Sequence, residues 1–119
     1  MTQIKLNKLT AQWQKRLRIQ DWDISVQILN HGDFIKQAGF DALGACSCHS
    51  TKKQASIIIM HPNEHDEDVE SVLIHELLHV VMPVQDLNIK VDDNDSVYIA
   101  YERIVDQMAH TLRAAYEDA

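Results

Sequence analysis

Two histidines four residues apart, His75 and His79, enclose Glu76 in the pattern His-Glu-x-x-His. On an α-helix, residues four apart sit about 40° round from each other and about 6 Å along the axis. Two imidazoles so placed can reach one metal ion, and a glutamate beside the first can hold a water bound to that metal. Around the motif, Val72, Leu73, Ile74, Leu77, Leu78, Val80 and Val81 are apolar. Ser71, His75, Glu76 and His79 fall on one narrow stripe. A polar stripe on an apolar helix is ordinarily its solvent face, but here the stripe is only as wide as the motif. The expectation is a metal-binding helix.

A catalytic zinc ion takes three protein ligands and leaves one position for water. Downstream, Glu102, Asp106 and His110 follow at successive spacings of four, and Asp86 lies in the connection before them. Any of these can supply the third ligand. The order Glu102-x-x-x-Asp106 favours Glu102, because the second carboxylate, one turn on, can then accept the outer N–H of a ligating histidine and fix its tautomer.

Several elements must position these groups. Leu6, Leu9, Trp13 and Leu17 share a helical face, which predicts an amphipathic helix over about residues 5–19. Trp22, Ile24, Val26 and Ile28 alternate with polar residues as in a half-buried strand, and His31-Gly32-Asp33 breaks it. The segment from there to Gly39 fits no single element. A second strand is expected within Phe40 to Ser50 and a third, β-branched one over Ala55 to Met60, with a turn at Thr51 to Gln54. Short connections predict a largely antiparallel three-stranded meander. The motif helix should begin near Asp66 to Asp68 and stop at Pro83, which cannot continue it. A last helix is expected from about Asp95 to Ala115, burying Val97, Tyr101, Ile104, Met108 and Leu112. The fold class this implies is α+β: an N-terminal helix, a three-stranded sheet, the motif helix and a C-terminal helix.

Composition narrows the function. The chain has 119 residues, which suits one domain over residues 1–119, and a net charge of −7, which disfavours a general nucleic-acid binder. The acidic runs Glu64 to Glu70 and Asp92 to Asp95 each precede an expected helix, where carboxylates favour its positive end. The second run lacks the glycine and terminal glutamate of a calcium loop. No apolar run is long enough for a membrane span. The N-terminal residues lack a signal-peptide core, so the expected compartment is the cytoplasm. Cys46 and Cys48, one residue apart, are expected to be thiols packed in a strand, neither a disulfide nor a second metal site.

Through His75-Glu76-x-x-His79 followed by Glu102-x-x-x-Asp106, the sequence resembles the gluzincins, the thermolysin-like zinc peptidases. Its layout is more similar to the minimal zincin-like metallopeptidases encoded by phages and prophages. The resemblance implies His75, His79 and Glu102 as ligands of one Zn2+ ion, Glu76 as general base toward a zinc-bound water, and Asp106 as the carboxylate behind a ligand. It implies a peptide or protein substrate, paired with an edge strand made by Ala55 to Met60, along Ser56, Ile57, Ile58, Ile59 and Met60. Tyr98, Tyr101, Arg103 and His110 are the candidates for stabilising an oxyanion. Two departures stand out: Tyr101 replaces the asparagine that commonly precedes the third ligand, and the large second domain of thermolysin is missing. The expected function is a zinc metallopeptidase; the alternative is a zincin-fold protein that binds metal or a protein partner without cleaving anything.

Overall fold

A computed structural model describes residues 1–117 as four helices and a three-stranded mixed sheet, an α+β arrangement. Helix α1 spans Gln3–Arg16, strand β1 Asp23–Leu29 and helix α2 His31–Ala38. Strands β2 (Gly44–His49) and β3 (Gln54–Met60) form a hairpin, followed by α3 (Val69–Val81) and α4 (Ser96–Ala115). No helix is long and apolar enough to cross a membrane.

The sheet departs from the expected meander. Its order is β1-β3-β2, with β1 parallel to β3 and β2 antiparallel to it. The reason is α2, which fills the segment that fitted no single element. Asn30 caps it by accepting from the Asp33 N–H, and Gly39 ends it at φ 83°, a left-handed conformation that glycine adopts without strain. With a helix between β1 and β2, the chain is carried past one strand position, and β3 returns to fill the gap.

As the central strand, β3 is covered on both faces. Ile57 and Ile59 join the main core with Leu6, Trp13, Val26, Leu73, Leu77 and Val105, whereas Ile58 and Met60 pack with Phe34 of α2 on the opposite face. The expected edge strand over Ser56, Ile57, Ile58, Ile59 and Met60 is therefore interior, bonded to a neighbour on each side. The two outer edges belong to β1 and β2. Gln3 closes the first: its side-chain amide donates to the Val26 carbonyl and its Oε1 accepts from the Ile28 N–H. Among the described residues no side chain does the same for β2.

Helix α4 buries only part of the expected stripe, Tyr101 and, half-buried, Leu112, and is rotated away from the rest. Tyr101, Val105 and Ala109 face the core, with Tyr98 and Leu112 half-buried beside them, while Val97, Ile104 and Met108 are exposed. Val105→Ala should accordingly cost about 2 kcal/mol, the loss of two buried methyl groups plus a cavity. Ile104→Ala, on the exposed face, should stay within about 0.5 kcal/mol. Chemical denaturation of both variants checks the assignment, and a reversed ranking would return α4 to the orientation expected from periodicity.

Candidate metal centre

Three cap and anchor groups set the position of α3. Asp68 caps it by accepting from Ser71 N–H, and the same carboxylate takes the Arg113 guanidinium of α4 at 3.0 Å. Arg113 also reaches Glu70 at 3.3 Å, and Glu70 accepts from the Trp13 indole of α1. At the other end Met82 closes the helix, and its carbonyl accepts the Tyr101 hydroxyl. Thus α3 and α4 run antiparallel with their register pinned at both ends.

Between these pins the motif side chains converge. Ligand atoms of His75, Glu76 and His79 lie within 4.8 Å of one another, a group that can hold a metal ion. Glu102, across on α4, is not in that three-residue group, yet it approaches both imidazoles more closely than the 4.8 Å span. One of its oxygens is 3.3 Å from His75 Nε2 and the other 3.2 Å from His79 Nε2. Glu76 neighbours His75 along the helix, while Glu102 faces both histidines from opposite them. The histidine pair thus has a carboxylate on each side, Glu76 from its own helix and Glu102 from α4.

The outer nitrogens are also engaged. His75 Nδ1 is 3.4 Å from Asp106 Oδ1, the position the sequence assigns to a carboxylate behind a ligand. His79 Nδ1 lies 2.9 Å from the Tyr101 hydroxyl. Because that hydroxyl donates to the Met82 carbonyl, it must accept from His79 Nδ1–H; Nε2 is then the lone-pair nitrogen of the neutral ring, and in the imidazolium it donates to Glu102. Tyr101, expected among the oxyanion groups, is thus a buried orienting group instead. Its role depends on a carbonyl 19 residues away, for which the sequence carries no local signal.

Of the remaining oxyanion candidates, Tyr98 and His110 line the cleft over the centre, whereas Arg103 is exposed and not part of its wall. His110 Nε2 is 3.5 Å from Asp106 Oδ2, so this carboxylate bridges His75 and His110. Asp86 is exposed and also outside the wall. Along the other side run Gly44 to Cys48 of β2, which takes the place beside the motif helix expected of β3.

Electrostatics separate the two glutamates. Burial raises the Glu102 carboxyl, but hydrogen bonds from His75 and His79 and their charges outweigh it and hold the group at about 2. The same contacts push His75 up against the opposing effect of burial. Glu76 is raised, chiefly by burial, with the two histidines only partly countering. It is 5% exposed and has no hydrogen-bond partner among the described residues, though its oxygens still reach the cleft. Burial also raises the Cys46 thiol, with Glu76 and Cys48 adding to it, and both cysteines are free. Cys46 and Cys48 are thus free, partly buried thiols, each held toward its neutral form chiefly by burial.

The sequence gives no role to Gly44 beyond weakening a strand. In the fold it lets β2 approach α3: a Cβ there would sit 3.0 Å from both Glu76 Cγ and Val72 Cγ1 and 3.3 Å from Glu76 Cδ. Gly44→Ala should cost about 1–3 kcal/mol as an overpacking change. A loss below about 0.5 kcal/mol in denaturation would mean strand and helix separate freely.

The paired charges also fix a pH dependence for the metal-free protein. Glu102 lies below its ordinary 4.5, so its contribution is complete above 4.5 and is lost as pH falls toward about 2. His75 lies above its ordinary 6.5, so its contribution is present below 6.5 and lost as pH rises through the raised value. Metal-free protein should melt highest between these limits. Glu102→Gln should lower that maximum and flatten its acid side; an unchanged melting profile from pH 2 to 7 would refute the pairing. Compared with protein-family models, curated proteins and solved structures, the chain matches none.

Proposed function

We propose that the protein is a zinc-dependent peptidase of the zincin kind, with His75, His79 and Glu102 holding the metal. The observation that carries this reading is the placement of Glu102, whose two oxygens lie 3.3 and 3.2 Å from the two imidazole Nε2 atoms. Donors at 2.0–2.1 Å from a tetrahedral zinc ion stand about 3.3 Å from each other, longer than the usual charge-assisted N–H···O distance of about 2.7–2.9 Å. Two imidazoles and one carboxylate also suit zinc by donor type. With three donors from protein, one position stays open to the cleft.

A bound zinc ion would polarise a peptide carbonyl and lower the pKa of a water molecule beside it. The chain supplies the rest. Tyr101 and Asp106 hold the outer nitrogens of His79 and His75, fixing ring orientation and raising ligand basicity. Glu76 takes a proton from the attacking water on its carboxylate and passes it to the leaving amine. Its buried site favours that shuttle, because burial raises the Glu76 carboxyl above its ordinary value and makes it a stronger base toward water. Tyr98, whose hydroxyl burial and Glu102 keep protonated, can donate to the developing oxyanion, and His110 is the second candidate. The open edge of β2 offers backbone groups to an extended peptide.

Elemental analysis of purified protein should find about one zinc per chain, lost in His75→Ala and His79→Ala. In a zinc competition titration, Glu102→Ala should release the metal, while Asp106→Ala and Tyr101→Phe should each weaken it by about 10- to 100-fold. Should Asp106→Ala or His110→Ala empty the site while Glu102→Ala retains zinc, the third ligand is misassigned. Glu76→Gln keeps the metal and should lower peptide hydrolysis by about 100-fold or more. Undiminished hydrolysis in Glu76→Gln removes the base from the mechanism, and a zinc-loaded parent that cleaves nothing leaves a metal-binding protein instead.

A further inference from the structure

The cleft above the metal centre, about 850 Å³, is lined by carboxylates from several elements, with His75, His79 and His110 as its titratable bases. Asp41, Glu67 and Asp93 reach it from three separate connections, those before β2, α3 and α4. Deeper in stand Glu76, Glu102 and Asp106, and among the described residues no lysine or arginine lines it. The basic residues lie elsewhere, several tied to acids outside the cleft: Lys53 to Asp21, Arg113 to Asp68 and Glu70, Lys90 to Asp92. At its floor Glu76 is 5% exposed and has no hydrogen-bond partner among the described residues, a buried carboxylate that lines this space.

A dication at the centre would offset Glu76 and Glu102, but not Glu67 and Asp93 at the rim, nor Asp41, whose neighbour at 3.3 Å is the His31 ring. Charge of one sign around a concave surface focuses the field and raises the local concentration of the opposite charge. Resting on the peptidase reading above, we infer that the cleft selects cationic polypeptide segments, with lysine or arginine flanking the bond at the centre. The open β2 edge supplies sequence-independent backbone pairing, and Asp41, Glu67 and Asp93 supply the discrimination by charge.

The test uses three fluorescent peptides that share a central sequence flanked by Lys, Gln or Glu. Their affinities are measured by anisotropy on zinc-loaded Glu76→Gln protein, and their cleavage on the zinc-loaded parent. The Lys peptide should bind roughly 10-fold tighter than the Glu peptide at low salt, with the gap narrowing as salt rises. Combining Asp41→Asn, Glu67→Gln and Asp93→Asn should close the gap, whereas neutralising Asp23, Asp33 and Glu117, outside the cleft, should preserve it. Equal affinities, no binding of any peptide, or a gap that survives the rim variant would each overturn the inference. If the Lys peptide binds tightest yet the parent cleaves none of the three, the charge preference stands and the peptidase reading falls.

Discussion

The antiparallel register of α3 against α4 is the constraint on which the centre depends. A His-Glu-x-x-His pair brings two donors to one face of one helix by local geometry alone. Glu102 and both outer-nitrogen partners come from the other helix, and a slide of one turn, about 5.4 Å, would remove all of them together. Tyr101 at the Met82 end and Arg113 at the Asp68 end act as two separated pins against that slide. The salt bridge at the far end is half-exposed and contributes modestly to stability. Its value lies in specifying where α4 stops.

Inside the pins, two buried or half-buried carboxylates have opposite fates. Glu102 sits between two imidazoles and stays ionised well into acid, whereas Glu76, one residue from His75, is dominated by desolvation. The difference is geometric. Glu102 presents one oxygen to each ring, while the Glu76 carboxylate turns toward the cleft under the cover of β2. That cover is close because Gly44 has no side chain, so the strand and the Glu76 side chain share one small space.

Much of this was legible in the residues, and the parts that were not share a cause. The His75, Glu76 and His79 grouping follows from a four-residue period and needed no tertiary information. Glu102 and Asp106 were readable as a pair because they repeat that period. Strand order was not read correctly, although a signal existed: Ile57-Ile58-Ile59-Met60 is an unbroken apolar run, the mark of a strand covered on both faces, while Trp22 to Ile28 alternates. On α4 two apolar stripes compete. Periodicity alone cannot choose between Val97, Ile104, Met108 and Tyr101, Val105, Ala109. The ligand assignment does choose, since Ile104 lies about 200° round the helix from Glu102 and must point away when Glu102 points in. The hydroxyl of Tyr101 and the space at Gly44 were invisible because each acts on a group distant in sequence.

The amide of Gln3 at the outer edge of β1 has a bearing on how this chain tolerates crowding. Growth of a fibril by sheet extension needs two free edges per molecule, one to give and one to receive. Here a side chain occupies two backbone groups of the first edge, which leaves β2 the freer of the two. A second copy pairing there would join two molecules edge to edge through β2. With Gln3 covering the other margin, the sheet is asymmetric, one side partly capped from within and the other exposed along its backbone.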